Sequence, residues 1–168
     1  MNRMYLIEQL ERHGEAFRAL FSGMGPIATF RPTPEKWCAV ELVCHLRDEE
    51  REDFRARLEH VLATPEAALP KTDPAGWMKD RAYAEQNFDL VLADFLEERQ
   101  RTVAWLRTLK NAPWRNAHPH PRVGPITADL FLVNWVAHDM HHLRQLNNLR
   151  YAYLASVSTE SLEYAGIW

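Results

Sequence analysis

An all-α four-helix bundle is the fold class that this 168-residue sequence predicts, and three observations predict it. Four stretches repeat apolar residues at spacings of three and four, the period of a helix with one buried side. The segments between them are punctuated by Pro and Gly. No stretch shows a convincing strand alternation. Four such helices bury their stripes against one another in one domain, residues 1–168, with long loops between helices two and three and between three and four.

The bulk properties agree and exclude several roles. Apolar residues make up 46% and charged residues 26%, and the formal charge is −3. That is an ordinary globular balance, and no Lys/Arg run marks a nucleic-acid or anionic-membrane surface. No window approaches a transmembrane span, and the start, Met1 to Glu8, lacks the apolar run of a signal peptide. Cys38 and Cys44 form neither a C-x-x-C nor a disulfide framework. Free thiols suit a reducing cytosol, so a cytoplasmic protein is expected.

The first helix is read from Leu6, Leu10, His13, Phe17, Leu20 and Phe21, and Gly23 and Gly25-Pro26 end it. His13 lies on that stripe and reads as a hydrogen-bonded core histidine. Pro32 and Pro34 make the next segment an extended lead-in. The second helix runs from about Ala39 to Leu62, with Leu42, Val43, Leu46, Phe54, Leu58, Val61 and Leu62 on one side. Glu41, His45, Asp48, Glu49 and Glu52 share the other side. This acidic stripe is either a solvated face or the border of a polar cleft. Residues 63–83 form a long loop with Trp77 and Tyr83 as anchors.

The third helix, from about Gln86 to Lys110, carries Phe88, Leu92, Phe95, Val103, Leu106 and Leu109, with Arg99 close to the stripe and suited to pairing with an acid. Residues 111–125 are a Pro- and His-rich connector in which His118 and His120 read as flexible-loop residues. Thr127 is the expected N-cap of the fourth helix, from about Ala128 to Leu149. A short capping helix is expected around Thr159 to Tyr164.

The fourth helix holds the stretch that carries chemistry. His138 and His142 are four residues apart and leave one helix face together, able to share an ion if a third ligand comes from elsewhere. They share their face with Phe131, Asn134, Trp135, Gln145, Leu146 and Leu149, so they point inward. His141 sits on the flank, and Asp139 points away from the pair. Facing helices in a bundle lie about 8–10 Å apart, so His45 can be that third ligand.

Two segments resemble a known family. Trp37-Cys38-Ala39-Val40-Glu41-Leu42-Val43-Cys44-His45-Leu46-Arg47-Asp48 is similar to the W-S-x-x-E-x-x-x-H-L-x-D segment of the DinB/YfiT-like family. His138-Asp139-Met140-His141-His142-Leu143-Arg144-Gln145-Leu146 resembles its closing H-D-x-x-H-x-x-Q-I helix, with Cys38 and Leu146 replacing the usual serine and isoleucine. The resemblance implies a four-helix bundle with a divalent ion, zinc or nickel, on His45, His138 and His142. It also implies chemistry of the kind known in the family: thiol S-transfer, or isomerisation with a low-molecular-weight thiol.

Three neutral imidazoles leave an ion with its full charge and an open position, which suits either hydrolysis or thiol transfer onto a small electrophilic substrate. Asp48 and Glu49, three and four residues beyond His45, are the candidates for orienting a ligand imidazole or accepting a proton. Their alternative is a solvated acidic face. Cys44 reads as packing. Besides the enzyme, two other readings stand: a non-catalytic metal-binding module for stress response or a partner, and a metal-free bundle with buried histidines. A homodimer is expected, because family members often pair and six tryptophans exceed what such a core needs.

Overall fold

The chain starts and stops its helices with its own side chains. The computed structural model describes residues 1–121 and 124–168; Arg122 and Val123, assigned above to the connector, lie outside the described residues. In α1 (Arg3–Phe21), Asn2 Oδ1 accepts the Tyr5 N–H at 3.1 Å. Gly23, at φ 75°, turns the chain away just beyond that helix. At the start of α2 (Ala39–Asp48), the Cys38 N–H donates to Glu41 Oε2 at 3.0 Å, one half of a capping box.

The second predicted helix is continuous but not uniform. α2 passes into a π-helical stretch, Glu49–Arg55, and then into α3 (Ala56–Ala63). Each π turn holds more residues than an α turn, so the face is rotated midway. Glu50, in the π stretch, lies fully inside and Glu49 is buried, while Glu52 stays exposed; Glu41, His45 and Asp48 are already buried on the regular α2 before it. The acidic stripe is therefore turned inward rather than solvated.

The long loop contains the short α4 (Pro74–Asp80), and Trp77 and Tyr83 anchor it as expected. α5 (Phe88–Thr108) is capped by Asn87 Oδ1 on the Leu90 N–H at 3.0 Å. The connector corrects the strand-free expectation: β1 (Ala117–His120) pairs antiparallel with β2 (Gly124–Thr127), His118 opposite Ile126. His118 and His120 are thus strand residues, and His118 Nδ1 lies 2.9 Å from the Pro65 carbonyl. Four-residue strands containing proline are too short for a period-two signal. Thr127 caps α6 (Ala128–Val157), which continues past Leu149. The tail has a single 3₁₀ turn, Glu163–Ala165, in place of a capping helix. Among the described residues no helix is long and apolar enough to cross a membrane.

The core is divided by a charged layer. One apolar cluster gathers Phe17, Phe21, Leu42, Leu46, Phe95 and Leu146, and a second gathers Leu10, Leu58, Val61, Val103, Leu132 and Trp135. Between them each of the four long helical runs contributes polar groups: His13, Glu50, Arg99 and Asp139. Arg99 uses all five N–H groups, on Glu50, on Asp139 and on the Leu10 carbonyl, at 2.6 to 3.0 Å. Trp135 Nε1–H also donates to Glu50, at 3.2 Å. Gly14 makes room: a Cβ there would stand 3.0 Å from Arg99 Cγ. The structural pairing expected of Arg99 and the core role expected of His13 are both what the fold shows.

Candidate metal centre

Two elements bring the predicted ligands together. His45 comes from the last turn of α2, and His138 and His142 come from successive turns of α6. Their Nε2 atoms form a triangle with edges of 3.3 Å (His45–His138), 3.2 Å (His45–His142) and 3.0 Å (His138–His142). An ion held about 2.0–2.1 Å from three imidazole nitrogens in tetrahedral directions sets them about 3.3–3.4 Å apart. The triangle fits a divalent metal ion.

Hydrogen bonding alone does not account for it. Each Nε2 carries either one proton or one lone pair in the ring plane. Three such atoms cannot all donate and accept in a closed ring, so at least one contact sets like against like. A shared cation satisfies all three lone pairs at once.

The environment keeps the rings neutral. Burial, reinforced by the neighbouring His142 and His138, pushes the pKa of His45 down to about 3. Burial and His142 do the same to His138, also to about 3. His142 is lowered by burial, with Gln145 acting against the shift. Neutral imidazole is the form that ligates. His142 Nδ1 is 2.9 Å from Gln145 Oε1, which holds the proton on Nδ1 and directs the Nε2 lone pair to the centre. His45 Nδ1 is buried and has no hydrogen-bond partner among the described residues. Trp37 packs edge-on against His45 at 4.9 Å and lies parallel to His142 at 6.4 Å, and Phe54 covers His138 at 5.0 Å.

The two carboxylates beyond His45 sit in different surroundings. Asp48 takes Arg47 Nε, Arg81 Nη1 and the Tyr83 hydroxyl, each at 2.7 Å. Burial raises its pKa, but these donors outweigh burial and leave it below the usual range. Glu49 is pushed up to about 8, by burial first and then by Asp53, against Arg57. The Glu49–Asp53 pair therefore shares a proton at neutral pH.

Other expectations resolve plainly. Asp139 does point away from the ligand pair, into the charged layer, where His13 Nδ1 lies 3.2 Å from it. Asn134 is exposed rather than on the inward face, its amide donating to the Leu130 carbonyl at 2.9 Å. Cys44 is buried packing and His141 is exposed. Sequence reasoning placed Gln145 on the inward face and Phe54 on the apolar side of the second helix, but gave neither them nor Trp37 a role at the site. The available signal for Gln145 was its position three residues after His142, on the same helix face.

The sequence profile of the DinB superfamily matches residues 9–146. The chain belongs to the DinB superfamily. Its fold is similar to that of YfiT from Bacillus subtilis, described as a probable metal-dependent hydrolase with an unusual four-helix bundle topology. That likeness has a TM-score of 0.76 at 22% identity and covers 89% of this chain and 86% of YfiT. No curated protein sequence matches the chain. This DinB member thus has the bundle the resemblance implied, with the histidines of both its motifs converging on one point.

Proposed function

We propose that this protein is a metal-dependent enzyme acting on a small electrophilic substrate, with His45, His138 and His142 as the ligands. The observation that supports it is the triangle of Nε2 atoms, 3.0 to 3.3 Å on a side, whose three lone pairs a shared cation would satisfy. Cysteine-free sites of this kind are those that keep an open position for chemistry. When bound, a divalent ion, zinc or nickel, supplies acidification of a water or thiol and polarisation of an electrophile. Hydrolysis is the first reaction class, supported by the description of YfiT; transfer of a low-molecular-weight thiol is the second outcome of the same assays.

The chain's own groups complete the reading. Gln145 orients His142, and Trp37 and Phe54 keep water from the ring faces. Glu49, one turn beyond His45, holds a proton it can exchange near neutral pH. Asp48, saturated with three donors, positions Arg47, Arg81 and Tyr83. Buried Cys38 and Cys44 suit a cytoplasmic setting, and a homodimer is the assembly to look for by light scattering.

Elemental analysis of untagged protein tests the proposal. One divalent ion per chain is expected, lost in both His45→Ala and His142→Ala. Wild type free of metal, or variants that retain as much as wild type, would refute it. Activity against esters, amides and thiol–electrophile pairs then separates the two reaction classes.

A further inference from the structure

A groove of about 940 Å³ adjoins the three imidazoles, between the lead-in to α2, the outer side of α6 and the tail. Lys36 and Trp37 come from the lead-in, Arg144, Gln145 and Tyr151 from α6, and Trp168 from the tail. Two of these belong to the metal centre as well. Trp37 packs on His45 and His142, and Gln145 holds the His142 Nδ1 proton.

The groove has a chemistry of its own. Acids outnumber bases in the chain, 23 to 20, yet no Asp or Glu lines this wall. Lys36 and Arg144 do, and among the described residues neither makes an ion pair, while Arg31, Arg47, Arg51, Arg55 and Arg81 all do. Arg144 Nη2 lies 3.4 Å from His141 Nδ1. The apolar walls combine aliphatic residues with three aromatics, Trp37, Tyr151 and Trp168. Trp168 lies flat on Tyr151, with centroids 4.3 Å apart and planes 2° from parallel, and its Nε1–H donates to Asn148 Oδ1 at 3.1 Å. Two unpaired cations attract an anionic group, and aromatic faces take a flat or apolar one. The volume is that of a small-molecule site, about 300–1,000 Å³.

We infer that this groove binds the non-reacting part of the substrate, a small anion with a flat, apolar portion. Its charge is held by Lys36 and Arg144, and its plane rests on Trp37 and on the Tyr151–Trp168 pair. Calling this ligand the substrate rests on the metal-centre reading; its binding does not. Specificity is then set by the lead-in and the tail rather than by the loops on either side of α5.

The test is calorimetric titration at low ionic strength with 2-naphthoate and with 2-naphthalenemethanol, the same ring without the charge. Both zinc-loaded and chelator-stripped protein are used. Naphthoate should bind one to one, and the alcohol about tenfold more weakly. Lys36→Gln/Arg144→Gln should weaken naphthoate by about tenfold, the loss of two solvent-exposed charge contacts, and leave the alcohol unchanged. Trp168→Ala should weaken both. Both cations are without ion-pair partners, so the double variant keeps the wild-type thermal midpoint. No binding of naphthoate, equal affinity for the alcohol, or indifference to the double variant would each overturn the inference. Metal content measured on the same samples keeps the two readings apart. Charge-dependent binding without stoichiometric metal supports the groove and removes the metal centre. Stoichiometric metal with charge-blind binding does the reverse.

Discussion

Arg99→Met removes the one cation of the buried layer and keeps most of its volume. Glu50 is then left with the Trp135 N–H at 3.2 Å and the neighbouring Thr102 hydroxyl, at 0% exposure. A bare carboxylate there is too costly, so Glu50 takes up a proton. From its ordinary pKa of 4.5, holding that proton at pH 7 costs 2.5 units, or about 3.4 kcal/mol at about 1.4 kcal/mol per unit. Asp139 loses its two bonds from Arg99 as well, so a total loss of about 3–5 kcal/mol at pH 7 is expected. The sign of the pH dependence follows. The folded variant holds a proton that the unfolded chain releases above about pH 4.5, so its stability falls as pH rises; the deficit shrinks between pH 7 and pH 5 by at most about 2.7 kcal/mol, because burial already raises Glu50 in the wild type. Urea unfolding of metal-free wild type and variant at both pH values measures it. Arg99→Lys keeps the charge but not the five-donor fork and should fall between the two. A loss below about 1 kcal/mol at pH 7, or the same loss at both pH values, would refute the reasoning.

Three further outcomes follow. Gln145→Leu should lower metal affinity about 10- to 100-fold in a chelator competition while leaving the urea midpoint of the metal-free protein unchanged; full affinity would show that the Nδ1 contact does not orient His142. Glu49 has a folded pKa of about 8 against an ordinary 4.5, so the wild type loses stability as pH rises through that window. Glu49→Gln stays neutral and should exceed wild type by about 2 kcal/mol at pH 9, less than a full shift gives because Asp53 shares the proton, with no gain near pH 4; urea midpoints across pH check this. The apolar layer Glu50→Leu/Arg99→Met/Asp139→Leu should be at least as stable as wild type yet bind metal more weakly, measured by unfolding and competition on one sample.

The three histidines of the candidate site were legible in the sequence because their argument is local. His138 and His142 lie on a regular stretch of α6, where about 100° per residue holds, so the spacing and inward neighbours Trp135 and Leu146 place both rings. His45 was legible because α2 is regular up to Asp48 and its segment has a motif of its own. The acidic stripe was open between two readings, because it crosses Glu49–Arg55, where the period changes. No single residue type encodes a π turn, so Glu50 could not be placed inside from its position alone. Asp139 was correctly turned from the ligand pair, but its partner Arg99 lies forty residues earlier on another helix, and no local pattern carries that pairing. Asn134 failed for the opposite reason: its angle was right for the stripe, but at that level of α6 the buried face is turned toward Leu132 and Val136, which leaves Asn134 outside.

The charged layer and the candidate metal centre are one construction seen from two sides of α6. His138 and Asp139 are successive residues, about 100° apart around the helix. One delivers its ring to the imidazole triangle, and the other delivers its carboxylate to the Arg99 fork. The same division recurs on the facing run, where His45 looks to the triangle and Glu50, carried inward by the π stretch, looks to Arg99. Apolar packing alone tolerates small rotations of a helix about its axis, because many side-chain arrangements fill similar volume. A bidentate fork does not: a rotation that moves Asp139 off the guanidinium breaks bonds of 2.6 and 2.9 Å in a layer closed to bulk solvent. Fixing Asp139 and Glu50 on one planar cation therefore fixes the rotation of both ligand-bearing runs. Three nitrogens from two helices that must converge to within 3.0–3.3 Å need that constraint more than they need added stability.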